Sequence, residues 1–333
     1  MFKDLFPSLG FCPFHAALWI FQAYFTVRFI KFLNIFCQSV WGHFIGKPLD
    51  LGPYKQHWTV FTGCTDGLGY AYLEELVSTR NIKKLYLIGR NAAKLDLLVK
   101  YFEGKYGCQV KIAIFDFEKD NLEDLPIELK TMNVGILVNC VGIAPELVGN
   151  LLEQPENLAS KILKVNLLSF VKMIELILPG MVERDCGIIV NISSIMGWRP
   201  FPYLSTYPAS KAAINFFTDA LTDEFKHTNI KIQCIIPSLV LTKLASYDPG
   251  DTDIFAVDTN IFAKQAVNII GKCSLSTGCF LHDLQLAFGS LLGFWLVKKV
   301  YVPFGILGHH RTRLDAYRKK HENNLRNGNG KIE

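Results

Sequence analysis

Short apolar runs alternate with longer amphipathic stretches through the middle of the chain, from about residue 57 to residue 281. The apolar runs are rich in β-branched residues, which predicts buried strands, and the stretches between them have helical periodicity. This alternation predicts an α/β fold, with a doubly wound parallel sheet of about seven strands covered by helices on both faces. The predicted strands are Trp58–Thr62, Leu85–Ile88, Lys111–Phe115, Gly135–Cys140, Ile188–Ile192, Ile232–Ile236 and Cys279–Leu281, and the clearest helices are Gly67–Arg80, Asn91–Tyr106 and Ala209–His227.

The N-terminal 50 residues are densely apolar and aromatic. Ser8–Val27 contains 20 residues without Asp, Glu, Lys or Arg, and about 20 such residues cross a bilayer as a helix. We predict that this segment anchors the protein in a membrane, as a span or a hairpin. Arg28 and Lys31 follow it, which places the downstream domain in the cytosol by the positive-inside rule. A helix lying in the membrane plane and a cleaved signal peptide are the alternatives, but no small-residue cleavage site follows Val27.

A second apolar stretch, Leu284–Leu307, lies near the C-terminus and precedes a basic segment. It predicts either a helix lying on the membrane or a buried helix in a homodimer. Residues 322–333 are polar and glycine-rich, which predicts a disordered tail. We therefore divide the chain into a membrane anchor at 1–50, an α/β domain at 51–283, an apolar and then basic segment at 284–321, and the tail.

Composition excludes other classes of protein. The formal net charge of +5 over 333 residues is too small to predict nucleic-acid binding. Nine cysteines are scattered along the chain without the close spacing of a metal site or a disulfide framework. We therefore expect no bound metal, and reduced thiols in a reducing compartment.

A glycine-rich turn follows the first predicted strand and leads directly into a helix. It reads Thr62-Gly63-Cys64-Thr65-Asp66-Gly67-Leu68-Gly69. Glycines let a backbone approach a pyrophosphate closely, and the free N–H groups at the helix start face its charge. In this context the turn predicts a Rossmann-type dinucleotide site, although an ordinary glycine-rich turn is the alternative. The predicted cofactor contacts in the turn are Gly63, Asp66, Gly67, Leu68 and Gly69.

Arg90 stands at the end of the second predicted strand. Enzymes that use NAD place an acid near this point, about 20 residues past the glycines, to bind the ribose 2′-hydroxyl. A guanidinium instead suits a 2′-phosphate. Arg90 therefore predicts NADPH/NADP+ as the cofactor, with a surface arginine beside a helix cap as the alternative.

Tyr207 and Lys211 are four residues apart and share one face if a helix begins nearby, where Pro208 is tolerated. An ammonium stabilises a phenolate, so the tyrosine can exchange a proton near neutral pH. Ser194 ends a buried strand 13 residues upstream and could hold a substrate carbonyl beside Tyr207. The alternative is a strand-end hydroxyl and a surface tyrosine.

These motifs resemble the short-chain dehydrogenase/reductase family over about residues 57–282. Their order and spacing along the chain match the family, which implies its fold and its carbonyl-reducing or alcohol-oxidising activity. The matching positions are TGxxxGxG at 62–69, Asp116, NxxG at Asn139–Gly142, Asn166, Ser194, Tyr207, Lys211, and Pro237 with Thr242.

The resemblance implies a role for each matching position. Tyr207 would be the general acid, and Lys211 would lower its pKa and hold the nicotinamide ribose. Ser194 would bind and orient the substrate carbonyl, and Asn166 would support a water relay to Lys211. Asp116 would bind the adenine. Tyr207 is implied to contact the cofactor as well as Lys211, and the remaining positions implied to contact it are Asn139, Gly142, Pro237 and Thr242.

A narrower resemblance lies in FTGCTDGLGYAYLEEL, VGILVNCVG and LILPGMVERDCGIIVNISS, together with the apolar N-terminus. They are similar to the branch that holds the 17β-hydroxysteroid dehydrogenases type 3 and type 12 and the very-long-chain 3-oxoacyl-CoA reductases. That branch implies NADPH, the endoplasmic reticulum membrane and a catalytic domain facing the cytosol. Departures from the family pattern, which put catalytic rate in doubt more than fold, are Gly89, Cys140, Pro208 and Ser238.

We therefore expect a membrane-associated, NADPH-dependent reductase of a ketone on a lipid-like substrate. A steroid is the substrate expected first, and a very-long-chain 3-oxoacyl-CoA of fatty-acid elongation is the alternative. A non-catalytic cofactor-binding scaffold is an alternative of another class. The intact set of Asn166, Ser194, Tyr207 and Lys211 favours an enzyme over that scaffold.

Overall fold

Seven parallel strands form one sheet with the order β3-β2-β1-β4-β5-β6-β7. This confirms the predicted fold class. The computed structural model describes residues 13–292 except 147, 249–252 and 254, together with 299, 308, 311, 312, 314–316, 318 and 319. The strands are β1 Trp58–Thr62, β2 Lys84–Gly89, β3 Gln109–Ile114, β4 Val134–Asn139, β5 Gly187–Ile192, β6 Ile230–Ile235 and β7 Leu275–Ser276.

Helices cover both faces of the sheet. One face carries α3, α4 and α8, and the other carries α6 and α7, each through a separate apolar cluster. The helices are α1 Pro13–Val40, α2 Gly52–Lys55, α3 Gly67–Arg80, α4 Ala92–Tyr106, α5 Leu158–Leu163, α6 Ser169–Glu183, α7 Thr206–Glu224, α8 Thr259–Asn268 and α9 Phe280–Leu291.

The central strands are buried along their whole length. Every residue of β4 and β5 is buried, as expected for parallel strands that are covered on both faces and are mainly apolar. The strand order reverses between β1 and β4. A doubly wound sheet opens a ligand crevice at such a reversal, beyond the carboxyl ends of the strands.

The last strand differs from the prediction. Cys279–Leu281 was expected to form it, but the strand is Leu275–Ser276, which pairs with Cys234 and Ile235 of β6. Gly278 turns the chain with a φ of +93°, and Cys279 is then the N-cap of α9. The run that was assigned to the strand therefore begins a helix.

The N-terminal helix is longer than the expected apolar span. It continues from Val27 to Val40, and a π-helical turn, Trp41–Ile45, follows it. Arg28 lies within this helix, as expected of a good helix former, and its guanidinium lies 5.2 Å from the centre of the Tyr24 ring and donates to Ser290 O at 3.3 Å. Residues 8–12 of the predicted span lie outside the described residues.

Two described helical segments are long and apolar enough to cross a membrane, His15–Ile45 and Leu158–Glu183. The second includes α6, which packs on the sheet. The first has large exposed apolar side chains such as Trp19 and Ile20, each 72% exposed. An apolar helix at the N-terminus is therefore present, as the sequence predicted.

The second half of α1 packs against α9, where the Phe32 and Phe288 rings are 5.3 Å apart. Part of the predicted C-terminal segment, Leu284–Leu291, thus lies in a helix beside the N-terminal helix. Residues 293–298 and 300–307 of that segment, and the predicted tail at 322–333, lie outside the described residues.

Candidate active site

Tyr207 and Lys211 lie on the first turns of α7, and Pro208 is the third residue of that helix. A proline in this position breaks no helical hydrogen bond. The Lys211 side chain is buried, and its Nζ donates to Ile192 O, at the end of β5, at 3.2 Å. The same Nζ lies 5.8 Å from the centre of the Tyr207 ring. The two side chains therefore share one helix face at the carboxyl edge of the sheet.

Ser194 lies beside this pair. It follows β5 and caps a 3-10 turn, Ile195–Trp198, where its Oγ accepts a hydrogen bond from Met196 N at 3.2 Å. Burial raises the pKa of Tyr207 to about 12, although a hydrogen bond with Ser194 opposes the rise. The phenol is therefore neutral at physiological pH, which is the form that donates a proton.

Burial also dominates at Lys211 and lowers its pKa to about 8, against a smaller opposing effect of Cys140 and Cys234. An ammonium with this pKa can release and regain its proton near physiological pH. The implied lowering of the Tyr207 pKa by Lys211 stays a prediction.

Asn166 is fully buried in a π-helical turn, Lys164–Leu168, between α5 and α6. Its Oδ1 accepts from Ile143 N at 2.8 Å, and its Nδ2 donates to Ile143 O at 2.9 Å and to Ser210 Oγ at 3.3 Å. Ser210 Oγ in turn donates to Tyr207 O at 2.7 Å. Asn166 thus joins the loop after β4 to the catalytic helix, and π-turns are frequent at functional sites.

The glycine turn has the close approaches that a dinucleotide cradle requires. A Cβ at Gly63 would lie 2.7 Å from the Val141 backbone, and a Cβ at Gly69 would lie 2.0 Å from Gly63 O. Gly67 has a φ of +53°. Asp66 is the N-cap of α3, and its Oδ1 accepts from Gly67 N at 2.8 Å. With Leu68 in the first turn of α3, the predicted positions fit a pyrophosphate at the helix start.

Arg90 and Asp116 follow neighbouring strands, β2 and β3, at the same edge of the sheet. The Arg90 side chain is 66% exposed, and its guanidinium is 3.9 Å from Glu118 Oε2. Asp116 lies in the loop after β3, where its Oδ1 accepts from Glu118 N at 3.0 Å. Both lie at the edge of the sheet where the adenosine end of a dinucleotide would bind, and their contacts with a cofactor stay predictions.

Lys94 is a second cation at this end, and sequence reasoning missed it. Its Nζ lies 3.4 Å from Asp66 Oδ2, and its backbone N–H donates to the helix cap Asn91. The sequence does contain an indication of this role. Lys94 comes three residues after Asn91, the N-cap of α4, which directly follows Arg90. Side chains in the first turn of a helix point back toward its N-terminus, and here that is toward the strand ends.

The Asn139 side chain does not face the crevice. It is fully buried, and its Nδ2 donates to Oδ1 of its register partner Asn191 at 3.0 Å. Any contact with a cofactor would therefore come from the backbone of Asn139. Gly142 lies closer to the site, since a Cβ there would lie 3.4 Å from Asn166 Oδ1 and 3.7 Å from Lys211 Nζ.

The segment Pro237–Thr242 lies along the opposite wall. Pro237 O accepts from Ile195 N at 2.8 Å, beside Ser194. At the other end, the Thr242 side chain borders Gly67, where an added Cβ would lie 3.4 Å from its methyl carbon. The segment thus links the Ser194 turn to the glycine turn, and its contact with the nicotinamide end of a cofactor stays a prediction.

A cleft of about 640 Å³ lies elsewhere, lined by Trp58, Lys84, Lys111 and Asn133 among others. These residues belong to the amino ends of the strands, away from Tyr207. Because doubly wound sheets bind their ligands at the carboxyl ends, we assign the active site to the crevice beside Tyr207.

The family model for short chain dehydrogenases matches residues 57–251. This chain belongs to the short-chain dehydrogenase family. It is an oxidoreductase of that type, and the glycine cradle fits the nicotinamide dinucleotide that the family uses. The resemblance drawn from the motifs is therefore confirmed.

Two relatives show how far the similarity extends. The uncharacterized oxidoreductase dhs-27 of Caenorhabditis elegans is 56% identical over 287 residues, which cover 84% of this chain and 35% of that protein. The chain thus spans about a third of that relative's length. The very-long-chain 3-oxoacyl-CoA reductase of Mus musculus is 33% identical over 325 residues, which cover 96% of this chain and 98% of that protein.

A similar solved structure is a short-chain dehydrogenase from Sphingobium yanoikuyae in complex with NADPH. The TM-score is 0.60 at 24% identity, covering 66% of this chain and 87% of that chain. This likeness supports the fold.

Proposed function

We propose that this protein is an NADPH-dependent reductase of long-chain 3-oxoacyl thioesters. The observation that carries the proposal is the convergence of Tyr207, Ser194 and Lys211 at the crevice that the glycine turn opens. Ser194 follows β5, whereas Tyr207 and Lys211 lie in α7. The fold brings these three side chains together at the carboxyl edge of the sheet, and this supports a catalytic site.

The residues would divide the work of one carbonyl reduction. A bound reduced nicotinamide supplies the hydride for the carbonyl carbon. The neutral Tyr207 phenol donates its proton to the carbonyl oxygen, while the Ser194 hydroxyl holds that oxygen by a hydrogen bond. Lys211 binds the ribose and holds a proton at Nζ that can replace the one lost from Tyr207. Asn166 fixes the loop at Ile143 and the first turn of the catalytic helix.

Two cations support NADPH over NADH. The Arg90–Glu118 pair is exposed and long, so it is weak and leaves the guanidinium available to a phosphate. Lys94 adds a second positive charge near the glycine turn. Arg90 would hold a 2′-phosphate, and the positive charge of Lys94 would add to the attraction.

Apolar surroundings and similarity together support a lipid-like substrate. A narrow crevice beside Thr206 is lined by Leu151, Leu158, Ile162 and Leu204 among others. Similarity over nearly the full length to a protein named for 3-oxoacyl-CoA favours an acyl chain over the steroid that the sequence led us to expect first. The steroid ketone remains the competing substrate in the test below.

The N-terminal helix supports a membrane location. Its exposed apolar side chains would lie in lipid, and Arg28 and Lys31 would face the cytosol. We propose the endoplasmic reticulum membrane, with the α/β domain of residues 51–283 on the cytosolic side, where acyl-CoA and NADPH would reach it.

NADPH oxidation by the purified full chain in detergent tests this function. Long-chain 3-oxoacyl-CoAs should be reduced, steroid ketones should be reduced more slowly, and the Tyr207→Phe variant should lose at least about 100-fold in rate. NADPH fluorescence should show equal cofactor binding by the two proteins.

Three outcomes would contradict parts of this proposal. Faster reduction of steroid ketones than of 3-oxoacyl-CoAs would show that a steroid is the preferred substrate. Activity surviving in Tyr207→Phe would overturn the mechanism, since a phenyl ring has no proton to donate. NADPH binding without oxidation of either substrate class would favour the non-catalytic scaffold.

A further inference from the structure

His282 joins α9 to the segment Pro237–Thr242. It is fully buried in the first turn of α9. Its Nδ1 accepts from Ser238 N at 3.2 Å, and its Nε2 lies 3.0 Å from Leu239 O. Burial lowers the pKa of His282 to about 4, so the ring is neutral. Only the tautomer with hydrogen on Nε2 satisfies both contacts.

These two hydrogen bonds act on the wall of the cofactor crevice. The segment Pro237–Thr242 continues from β6 without a neighbouring strand of its own, apart from an isolated bridge between Val240 and Val257. His282 and the hydrogen bond from Ile195 N to Pro237 O hold its first half, and the bridge to Val257 holds its second. Loss of the histidine would remove the acceptor of the Ser238 N–H and the contact to Leu239 O together.

The next residue, Asp283, connects the same turn of α9 to the N-terminal helix. It is 8% exposed. Its Oδ1 accepts from Thr277 Oγ1 at 2.6 Å, and its Oδ2 accepts from Ser39 Oγ at 2.7 Å and contacts His43 Nε2 at 3.1 Å. Burial raises the pKa of Asp283, but the hydrogen bonds from His43, Thr277 and Ser39 outweigh it and leave that pKa lowered.

Two of the three partners of Asp283, Ser39 and His43, come from the N-terminal region. Ser39 is in the last turn of α1, and His43 is in the π-turn that follows. The buried carboxylate thus joins the end of the apolar helix to the turn of α9 that holds the crevice wall.

We propose that His282 is a positioning residue for Pro237–Thr242, and that Asp283 couples this segment to the N-terminal helix through Ser39 and His43. The end of the N-terminal helix is then part of the support of the active site as well as a membrane attachment. The consequence for cofactor affinity rests on the proposed use of NADPH, whereas the consequence for the segment's motion does not.

Hydrogen–deuterium exchange on the full chain in detergent, without cofactor, measures that motion. Ser39→Ala removes one donor to the buried carboxylate and should speed exchange in Ser238–Thr242 about tenfold, which corresponds to about 1.4 kcal/mol. His282→Leu should speed this exchange at least as much. His282→Gln keeps an amide that can accept or donate a hydrogen bond, so its exchange rate should fall between those of His282→Leu and the wild type.

Arg28→Met is the matched control. It removes another contact between α1 and α9, the one to Ser290 O, but this contact lies about two turns of α9 beyond His282. It should lower the melting temperature while leaving exchange in Ser238–Thr242 unchanged. NADPH affinity, measured by fluorescence, should fall with Ser39→Ala and stay constant with Arg28→Met.

Equal exchange in the wild type and Ser39→Ala, or equal acceleration by Ser39→Ala and Arg28→Met, would overturn the coupling. Unchanged exchange in His282→Leu would overturn the positioning role. Failure of the wild type to bind NADPH would count against the proposed function alone, because the exchange comparison needs no cofactor.

Discussion

Replacing Lys211 with methionine should stabilise the fold while it abolishes the reaction. Burial lowers the Lys211 pKa from 10.5 to about 8, which at about 1.4 kcal/mol per pKa unit corresponds to about 3 kcal/mol of unfavourable burial. Methionine fills similar space without the charge. It also removes the hydrogen bond to Ile192 O, at a cost of about 1 kcal/mol. The net gain at neutral pH should be about 2 kcal/mol.

The stability difference between Lys211→Met and the wild type should depend on pH in a definite direction. Between about pH 8 and pH 10.5 the unfolded chain still binds the Lys211 proton, whereas the folded chain has released it. Stability of the wild type therefore rises with pH across this window. Methionine does not titrate, so the advantage of Lys211→Met should be complete below about pH 8 and should shrink as the pH approaches 10.5.

Urea unfolding of both proteins in the same detergent, followed by tryptophan fluorescence at about pH 7 and about pH 9.5, measures the difference. A variant that is less stable than the wild type at neutral pH would refute the reasoning. An advantage that grows with pH would refute it as well, because that trend has the opposite sign from the linkage.

Three further substitutions test other parts of the site, and a fourth, in α4, is a control. Arg90→Ala should weaken NADPH binding by about 10- to 100-fold and leave NADH binding unchanged; equal losses for both cofactors would contradict a 2′-phosphate contact. Gly69→Ala places a methyl 2.0 Å from Gly63 O and should abolish cofactor binding. The control Gly104→Ala meets open space in α4 and should instead stabilise the chain by about 0.5–1 kcal/mol. Asn166→Ala leaves both backbone groups of Ile143 without their buried partner and should lower the free energy of unfolding by about 2–3 kcal/mol; a loss in urea titration below about 1 kcal/mol would show that water replaces the amide.

The strands were predictable because both faces of the sheet are covered. β4 and β5 are buried at every position, so each reads as a mainly apolar run of strand length in which Asn139 or Asn191 is the one polar residue. β7 has two residues, which is too short to create any periodicity. The neighbouring apolar run at Cys279 predicts a strand, but it begins α9.

The site was predictable only as far as its residues follow strand ends or share a helix turn. Tyr207, Lys211 and Ser194 meet those conditions. His282 comes about 45 residues after Pro237 in the chain, and only the packing of α9 brings its ring to the Ser238 backbone. The direction of the Asn139 side chain depends on which face of β4 each residue occupies, and a strand that is buried on both faces has no polar alternation to reveal it.

The π-helical turn at Lys164–Leu168 limits how this protein can change over evolutionary time. A wider turn holds one more residue than a regular α-helical turn, so deleting one residue there would restore ordinary geometry. Each residue turns an α-helix by about 100°, and the deletion would therefore rotate the contacts of α6 that now bury Met173 and Ile177. A point substitution at Asn166 removes its hydrogen bonds to Ile143 but keeps the helical register of α6. An insertion or deletion changes that register, and it would therefore disturb the core contacts of α6 and the position of Asn166 together.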